Sequence, residues 1–324
     1  MNFRWLNLVV ATCLAVTTAC SGGEAPSAGS GTPGKPRFAV VPKGTTHVFW
    51  KAIEAGAREG GEAAGVEVLW KGPLQENDRA QQIAVVQQFL ADGVDGLALA
   101  PLDHAALVPV VAQARARNIP VVVFDSDLDG KPGVDFASFV ATDNAAGGRL
   151  AGAELARLLG GKGKVVLLRY QVGSASTEAR EQGFLEAARA AGLEVTVDNR
   201  FAGATVGEAK TTALNLLDEL KYAQGVFCSN EPTTAGMLLA LEQAGLAGKL
   251  RFVGFDASPP IVAALSAGKL DAIVVQDPRK MGRLSVELLA KLKRGEPVAP
   301  LVDTGAVLVT KDTMKSPDVA PLLQ

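Results

Sequence analysis

The chain has 324 residues, of which 48% are apolar and 20% charged, and a formal charge of −2. That length suggests about two domains with full hydrophobic cores. The near-neutral balance excludes the basic field that nucleic acid or an anionic lipid surface requires, so the expected partners are neutral small molecules and other proteins.

Residues 1–19 read as a signal segment. Arg4 supplies a positive start, and Leu6 to Val16 form an apolar core too short to span a bilayer as a mature helix. Thr17-Thr18-Ala19-Cys20 resembles a lipoprotein signal-peptidase site, with Thr17 where a leucine is usual. Cys20 is therefore expected to carry lipid; a plain secretory signal cleaved nearby is the alternative. Acyl chains contribute roughly 0.8 kcal/mol per buried CH₂, so a multiply acylated Cys20 would tether the protein firmly, and membrane contact is expected only through that anchor. Residues 20–36, rich in Gly, Ser, Ala and Pro, read as a flexible stalk. With Cys13 lost in the signal and Cys20 lipidated, Cys228 remains alone in an apolar run. It reads as a buried, inert thiol, and no disulfide is expected.

From Arg37 onward short apolar runs alternate with amphipathic stretches. Strands are predicted at Phe38–Val41, Val66–Leu69, Gly96–Ala100, Pro120–Phe124 and Ser138–Ala141, with helices near 48–64, 78–92 and 105–117. The pattern then restarts. Strands at Lys164–Arg169, Glu194–Asp198, Gly225–Cys228, Arg251–Gly254 and Ala272–Gln276 alternate with helices near 144–159, 176–191, 206–221, 232–244 and 259–267. A last helix is predicted near 279–294, with short strands near 300–309. Such alternation means an α/β protein with parallel sheets and right-handed crossovers, and two successive sets argue for two similar Rossmann-like lobes.

Catalytic signatures fail in turn. Gly160-Gly-Lys-Gly-Lys164 precedes a strand, whereas a phosphate loop follows one. Gly173-Ser-Ala-Ser-Thr177 lacks the second glycine of a nucleophile elbow. The two histidines, His47 and His104, stand at no metal-ligand spacing, and His104 reads as a solvated surface residue. No metal or other cofactor is expected, and no bond-making chemistry.

Binding chemistry is better represented. Three late strands end on polar side chains, at Asn230, Asp256 and Gln276, and Phe124-Asp-Ser-Asp127 ends an early one in the same way. In open α/β sheets the carboxyl ends of strands face the ligand crevice. Asp125 and Asp256 are candidate acceptors for vicinal hydroxyls, with a helix cap or turn as the alternative for each. Thr45-Thr-His-Val-Phe-Trp-Lys51 opens the first helix on the same rim. There Phe49 and Trp50 either stack on a bound ring, for roughly 1 kcal/mol each, or pack into the core.

Taken together, Val48-Phe-Trp-Lys-Ala-Ile-Glu-Ala-Gly-Ala57, Gly93-Val-Asp-Gly96, Asn118-Ile-Pro-Val-Val-Val-Phe-Asp125 and Ala141-Thr-Asp-Asn-Ala-Ala-Gly-Gly148 carry a resemblance. It continues through Ala179-Arg-Glu-Gln-Gly-Phe184, Asn230-Glu231, Val253-Gly-Phe-Asp256 and Gln276-Asp-Pro278. The chain resembles the ribose-binding-protein-like family of bacterial ABC-transporter substrate-binding proteins, with the type I periplasmic binding fold. The resemblance implies two lobes, 37–139 plus 277–304 and 140–276 plus 305–324, joined by three hinge strands near Ser138–Ala141, Gln276–Asp277 and Asp303–Gly305. It implies ligand contacts in the interlobe cleft from His47, Phe49, Trp50, Asp125, Ser126, Glu178, Ala204, Asn230, Asp256 and Gln276. Glu231 joins them, or else points into its own helix start; Glu178 is either a ligand contact or a surface helix residue.

Departures from the ribose pattern are Ser126 and Glu178 in place of arginines, His47 in place of asparagine, and Ala204 in place of an aromatic. Arginine provides a rigid fork of donors, so its loss points away from ribose and towards a larger pocket for a hexose, a modified sugar or a small glycoside. Asp125, Glu178, Glu231 and Asp256 would make the cleft acidic, with Lys43 the nearest counter-charge. The implied protein is not an enzyme. It is a monomeric, lipid-anchored receptor at the periplasmic or cell-surface side that closes over a sugar or polyol and delivers it to an ABC permease. A sensor presenting the same domain to a chemoreceptor or histidine kinase is the alternative, and a carbohydrate enzyme using Asp125 and Asp256 is a third.

Overall fold

The structure, a computed structural model, describes residues 34–323. The expected signal segment, Cys20 and most of the stalk lie outside the described residues. In chain order the first elements are β1 (Arg37–Val41), α1 (Val48–Ala64), β2 (Glu67–Trp70), α2 (Arg79–Ala91), β3 (Gly96–Leu99), α3 (Val108–Ala116), β4 (Val121–Phe124) and β5 (Ser138–Ala141). Next come α4 (Asn144–Leu159), β6 (Gly163–Arg169), α5 (Ala175–Ala190), β7 (Leu193–Phe201), α6 (Val206–Asn215), α7 (Leu217–Tyr222) and β8 (Gly225–Cys228). The last are α8 (Glu231–Gln243), β9 (Arg251–Phe255), α9 (Pro259–Ala267), β10 (Ala272–Gln276), α10 (Pro278–Lys293), β11 (Leu301–Asp303) and β12 (Ala306–Thr310), before a short 3₁₀ turn at Ala320–Leu323.

The strands form two six-stranded sheets, ordered β11-β5-β4-β3-β1-β2 and β12-β10-β9-β8-β6-β7. Every pairing is parallel except that of β10 with β12. The two sheets therefore have the same order once β1 is matched to β6. Both faces of each sheet are covered, which is why the strands are nearly continuous apolar runs. Val121 and Val123 of β4 enter one apolar cluster while Val122 and Phe124 enter the other, the alternation that the strand period demands. The chain passes between the sheets three times, after β5, after β10 and after β11.

Each lobe is closed by a tight helix pair, α1 with α10 and α4 with α5. A methyl group at Gly56 would collide with the Arg279 carbonyl, and one at Gly282 with that of Ile53. Gly148 and Gly183 stand in the same relation to the Arg180 and Ala145 carbonyls. The absence of a Cβ at these four crossings allows backbone-to-backbone approach.

Three differences from the sequence-based elements have local causes. The helix expected over 206–221 is two, because Leu216 leaves helical geometry at φ −102° and ψ 11° while its side chain enters the core. β7 is longer than predicted and slips register twice against β6, since its outward residues are polar and carry little apolar signal. The terminal strand region divides between the two sheets as β11 and β12. Cys228 is fully buried, and burial pushes its thiol well above the usual range. Among the described residues no helix is long and apolar enough to cross a membrane.

Candidate functional site

The carboxyl ends of both sheets face one narrow cavity of about 30 Å³. The first lobe contributes Lys43 after β1, Glu76 after β2, Asp125 after β4, and His47, Phe49 and Trp50 at the start of α1. The second contributes Tyr170 after β6, Ser176, Thr177 and Arg180 on α5, Asn230 and Glu231 at the start of α8, Asp256 after β9, and Gln276 at the end of β10.

Asp125 and Asp256 occupy matching places after β4 and β9, and both adopt the left-handed backbone region, at φ 62° and 65°. Aspartate tolerates that region better than most residues, and such geometry concentrates at functional sites. Neither is a helix cap; the cap of α9 is Ser258. Lys43 Nζ lies 3.3 Å from Asp125 Oδ2 and donates across the cleft to Ser174 Oγ at 3.2 Å and Ser176 Oγ at 3.1 Å. Its ammonium thus has two hydrogen-bond acceptors and one ion-pair partner.

Asp256 is held more elaborately. Gln276 Nε2 donates to its Oδ1 at 2.7 Å, the Glu231 backbone N–H donates to its Oδ2 at 3.1 Å, and the Arg180 guanidinium lies 3.8 Å away. Burial holds the Asp256 carboxyl above its ordinary range, against the lowering effect of Arg180. Arg180 is itself fixed by donating to Asn144 Oδ1 at 2.8 Å and the Ser229 carbonyl at 3.1 Å, with its plane 4.0 Å above the Phe255 ring. A guanidinium stacked and bonded in this way is a rigid charge, unlike a lysine on its flexible stem.

Below it, fully buried Glu181 accepts from the Tyr170 backbone N–H at 2.9 Å, Ser229 Oγ at 2.9 Å and Arg169 at 3.1 Å. Burial pushes its carboxyl up to about 7. Glu181 thus ties the loop after β6 to the loop after β8.

Three buried side-chain atoms among the described residues lack a hydrogen-bond partner: Tyr170 Oη, Glu231 Oε2 and Gln276 Oε1. All three residues line this cavity. Buried polar atoms are rarely left unmatched, so their convergence on one hollow marks a place shaped for a polar guest.

The residues singled out in the sequence fare differently. His47, Phe49, Trp50, Asp125, Asn230, Glu231, Asp256 and Gln276 all line the cavity. Trp50 is also a core residue: it is 2% exposed, lies edge-on to Phe124, and donates from Nε1 to Glu76 Oε1 at 2.7 Å. Asn230 spends its amide oxygen capping α8, accepting from the Thr233 N–H at 3.3 Å. Glu231 does not serve its own helix start; its carboxylate lies 3.7 Å from His47 of the other lobe.

Ser126, Glu178 and Ala204 stand outside the wall. Ser126 accepts from the Ser176 N–H at 3.0 Å and so bridges the lobes. Glu178 turns back to accept from the Gly173 N–H at 2.7 Å, because the first turn of α5 offers that donor nearby. Ala204 is buried behind the wall; Tyr170, whose carbonyl accepts from the Gly203 N–H at 3.3 Å, brings an aromatic side chain to the cavity nearby.

Arg180, Glu76, Tyr170, Ser176 and Thr177 line the site without having been singled out. Positions 126 and 178 lack the arginines of the ribose pattern, and Arg180, two residues beyond Glu178, places a rigid fork in the wall. Its helical spacing was the available signal, since positions 176, 177 and 180 share one face of α5. Lys43, the expected counter-charge, does meet Asp125. His104, expected to be a solvated surface residue, is partly exposed and pairs its Nδ1 with the exposed Asp129 at 2.6 Å.

A family model described as "Periplasmic binding protein domain" matches residues 38–297. The D-ribose/D-allose-binding protein of Pseudomonas aeruginosa is 32% identical over 87% of this chain and 90% of its own length. Among solved structures, the periplasmic component of an ABC-type sugar transport system from Hahella chejuensis is 38% identical with a TM-score of 0.81, covering 85% of this chain and 100% of that one. A solute-binding protein from Agrobacterium vitis with bound D-fucose is 33% identical with a TM-score of 0.85, covering 89% and 100%. With two matched sheets, strand ends facing one hollow and a family match over most of its length, this chain belongs to the periplasmic binding protein family.

Proposed function

We propose that this protein is the extracytoplasmic substrate-binding component of an ABC importer and captures a sugar or sugar-like polyol between its lobes. The observation that carries the reading is the convergence of Tyr170 Oη, Glu231 Oε2 and Gln276 Oε1, all unmatched, on a cavity whose other wall is Asp125 and Lys43. Hydroxyl groups both donate and accept, so a polyol can satisfy acceptors and a phenol together. Phe49, edge-on to Trp50 with ring centroids 5.1 Å apart, offers an apolar surface for the C–H face of a ring.

Contacts drawn from both lobes favour the arrangement in which the lobes meet, and a ligand shifts that equilibrium by its differential affinity. The permease then reads the closed shape. The names of the relatives support transport over the sensor alternative. We place the mature chain as a monomer in the periplasm or at the cell surface, anchored through Cys20, with domain limits near the three chain crossings.

A thermal-shift screen of pentoses, hexoses, deoxy sugars and cyclitols tests the reading. A true ligand at a hundredfold excess over its Kd stabilises by about 2.7 kcal/mol, which raises the melting temperature measurably. If none does so, the polyol-receptor reading falls.

A further inference from the structure

The cavity wall carries four carboxylates, Glu76, Asp125, Glu231 and Asp256, against two fixed cations, Lys43 and Arg180. Both cations are committed, Lys43 to Asp125 and two serines, Arg180 to Asn144, the Ser229 carbonyl and Asp256. Glu76 and Glu231 flank His47, whose ring nitrogens lie 3.7 Å from an oxygen of each, beyond hydrogen-bond distance. Glu231 is 7% exposed, and its Oε2 has no partner. Gln276 is 1% exposed and leaves its Oε1 unmatched as well. The orientation of that amide is fixed, because its NH₂ must face the acceptor-only carboxylate of Asp256. The hollow therefore presents buried acceptors and more carboxyl groups than fixed cations.

We propose that the ligand is a polyol bearing a protonated amine, an amino sugar or an aminocyclitol, and that Glu231 is the residue that selects the amine. The proposal rests on the polyol reading above and narrows it. A hydroxyl brings one donor and no charge, whereas an ammonium brings three donors and a unit of positive charge. Hydrogen bonds to an ionised partner are roughly twice as strong as neutral ones, and an unpaired buried carboxylate is costly. Burial holds the Glu231 carboxyl up at about 7, with His47 lowering it and Asp256 and Glu76 raising it; a cation docked at Oε2 would bring it down.

The test is calorimetric titration of the full-length protein near neutral pH with D-glucosamine, D-galactosamine, D-mannosamine and an inosamine, each beside its neutral parent. At least one amine is expected to bind about tenfold more tightly than its parent, and Glu231→Gln is expected to bring that ratio close to one. Binding of neutral parents with no amine tighter than its parent overturns the proposal and leaves the polyol reading standing. A preference undiminished in Glu231→Gln overturns the role given to that residue. Silence from amines and parents alike overturns the proposal, and the polyol reading then stands or falls on the wider thermal-shift screen.

Discussion

In the first lobe Asp125 finds its counter-charge in a single lysine at 3.3 Å, whereas in the second the matching Asp256 is shared among Gln276, the Glu231 backbone and Arg180. The same strand order and the same left-handed aspartate thus support two different kinds of wall. The three unmatched polar atoms all lie on the second wall, at Tyr170, Glu231 and Gln276. The first wall closes its valences through Lys43, Trp50 and Glu76, and through contacts that reach the segment 171–176. Architecture was duplicated; the demand for a ligand was not.

The strongest way to break that contrast is to remove each aspartate. Asp256→Ala strips Arg180, Gln276 and the Glu231 N–H of a shared acceptor, and affinity for whichever polyol binds is expected to fall about a hundredfold. Asp125→Ala is expected to cost less, because Lys43 keeps its two serines. If titration calorimetry shows the reverse order, the walls have been assigned the wrong roles.

The helix pairs, by contrast, should behave alike. Gly56→Ala and Gly148→Ala each force a methyl into a carbonyl across the crossing. Each is expected to destabilise by about 1–3 kcal/mol, lowering the melting temperature by several degrees. Matched losses would sharpen the comparison to one of side-chain chemistry alone.

The two carboxyls held up to about 7 both belong to the second lobe. Glu181 and Glu231 are held up to about 7 chiefly by burial, so each binds its proton more tightly folded than unfolded. Their contribution to stability is full below the unfolded carboxyl pKa of about 4.3, and it is lost as pH rises through about 7. Without added sugar the melting temperature is expected to decline by a few degrees across that window, and Glu181→Gln to flatten part of the decline. A flat profile in the unaltered protein would contradict the burial argument. The smallest effect is expected at Glu178, whose carboxylate serves Gly173: Glu178→Ala should alter affinity by less than about twofold, and a larger loss would return it to the site.

Most of the fold was legible because each strand is an apolar run and each helix an amphipathic one; α1 spans the residues its periodicity implied. The helix at 206–221 misled because Leu216 suits a helix locally and is drawn out of one by the core. Of the site, the residues that end strands were readable, since their position follows from the sheet. Which way Glu178 turns, and that Trp50 spends its Nε1 on Glu76, depend on partners brought near only by folding. Arg180 was hidden for a related reason: its role comes from Phe255 and Asn144, on other elements.

The order in which the elements leave the ribosome has its own consequence. Glu59 of α1 meets Arg279 of α10 across 220 positions of sequence, and β11 joins its sheet later still. The amino-terminal lobe therefore has no complete folding unit until synthesis is nearly finished. A chain built that way cannot close its amino-terminal lobe until α10 and β11 have been made, whatever the order in which its other elements form.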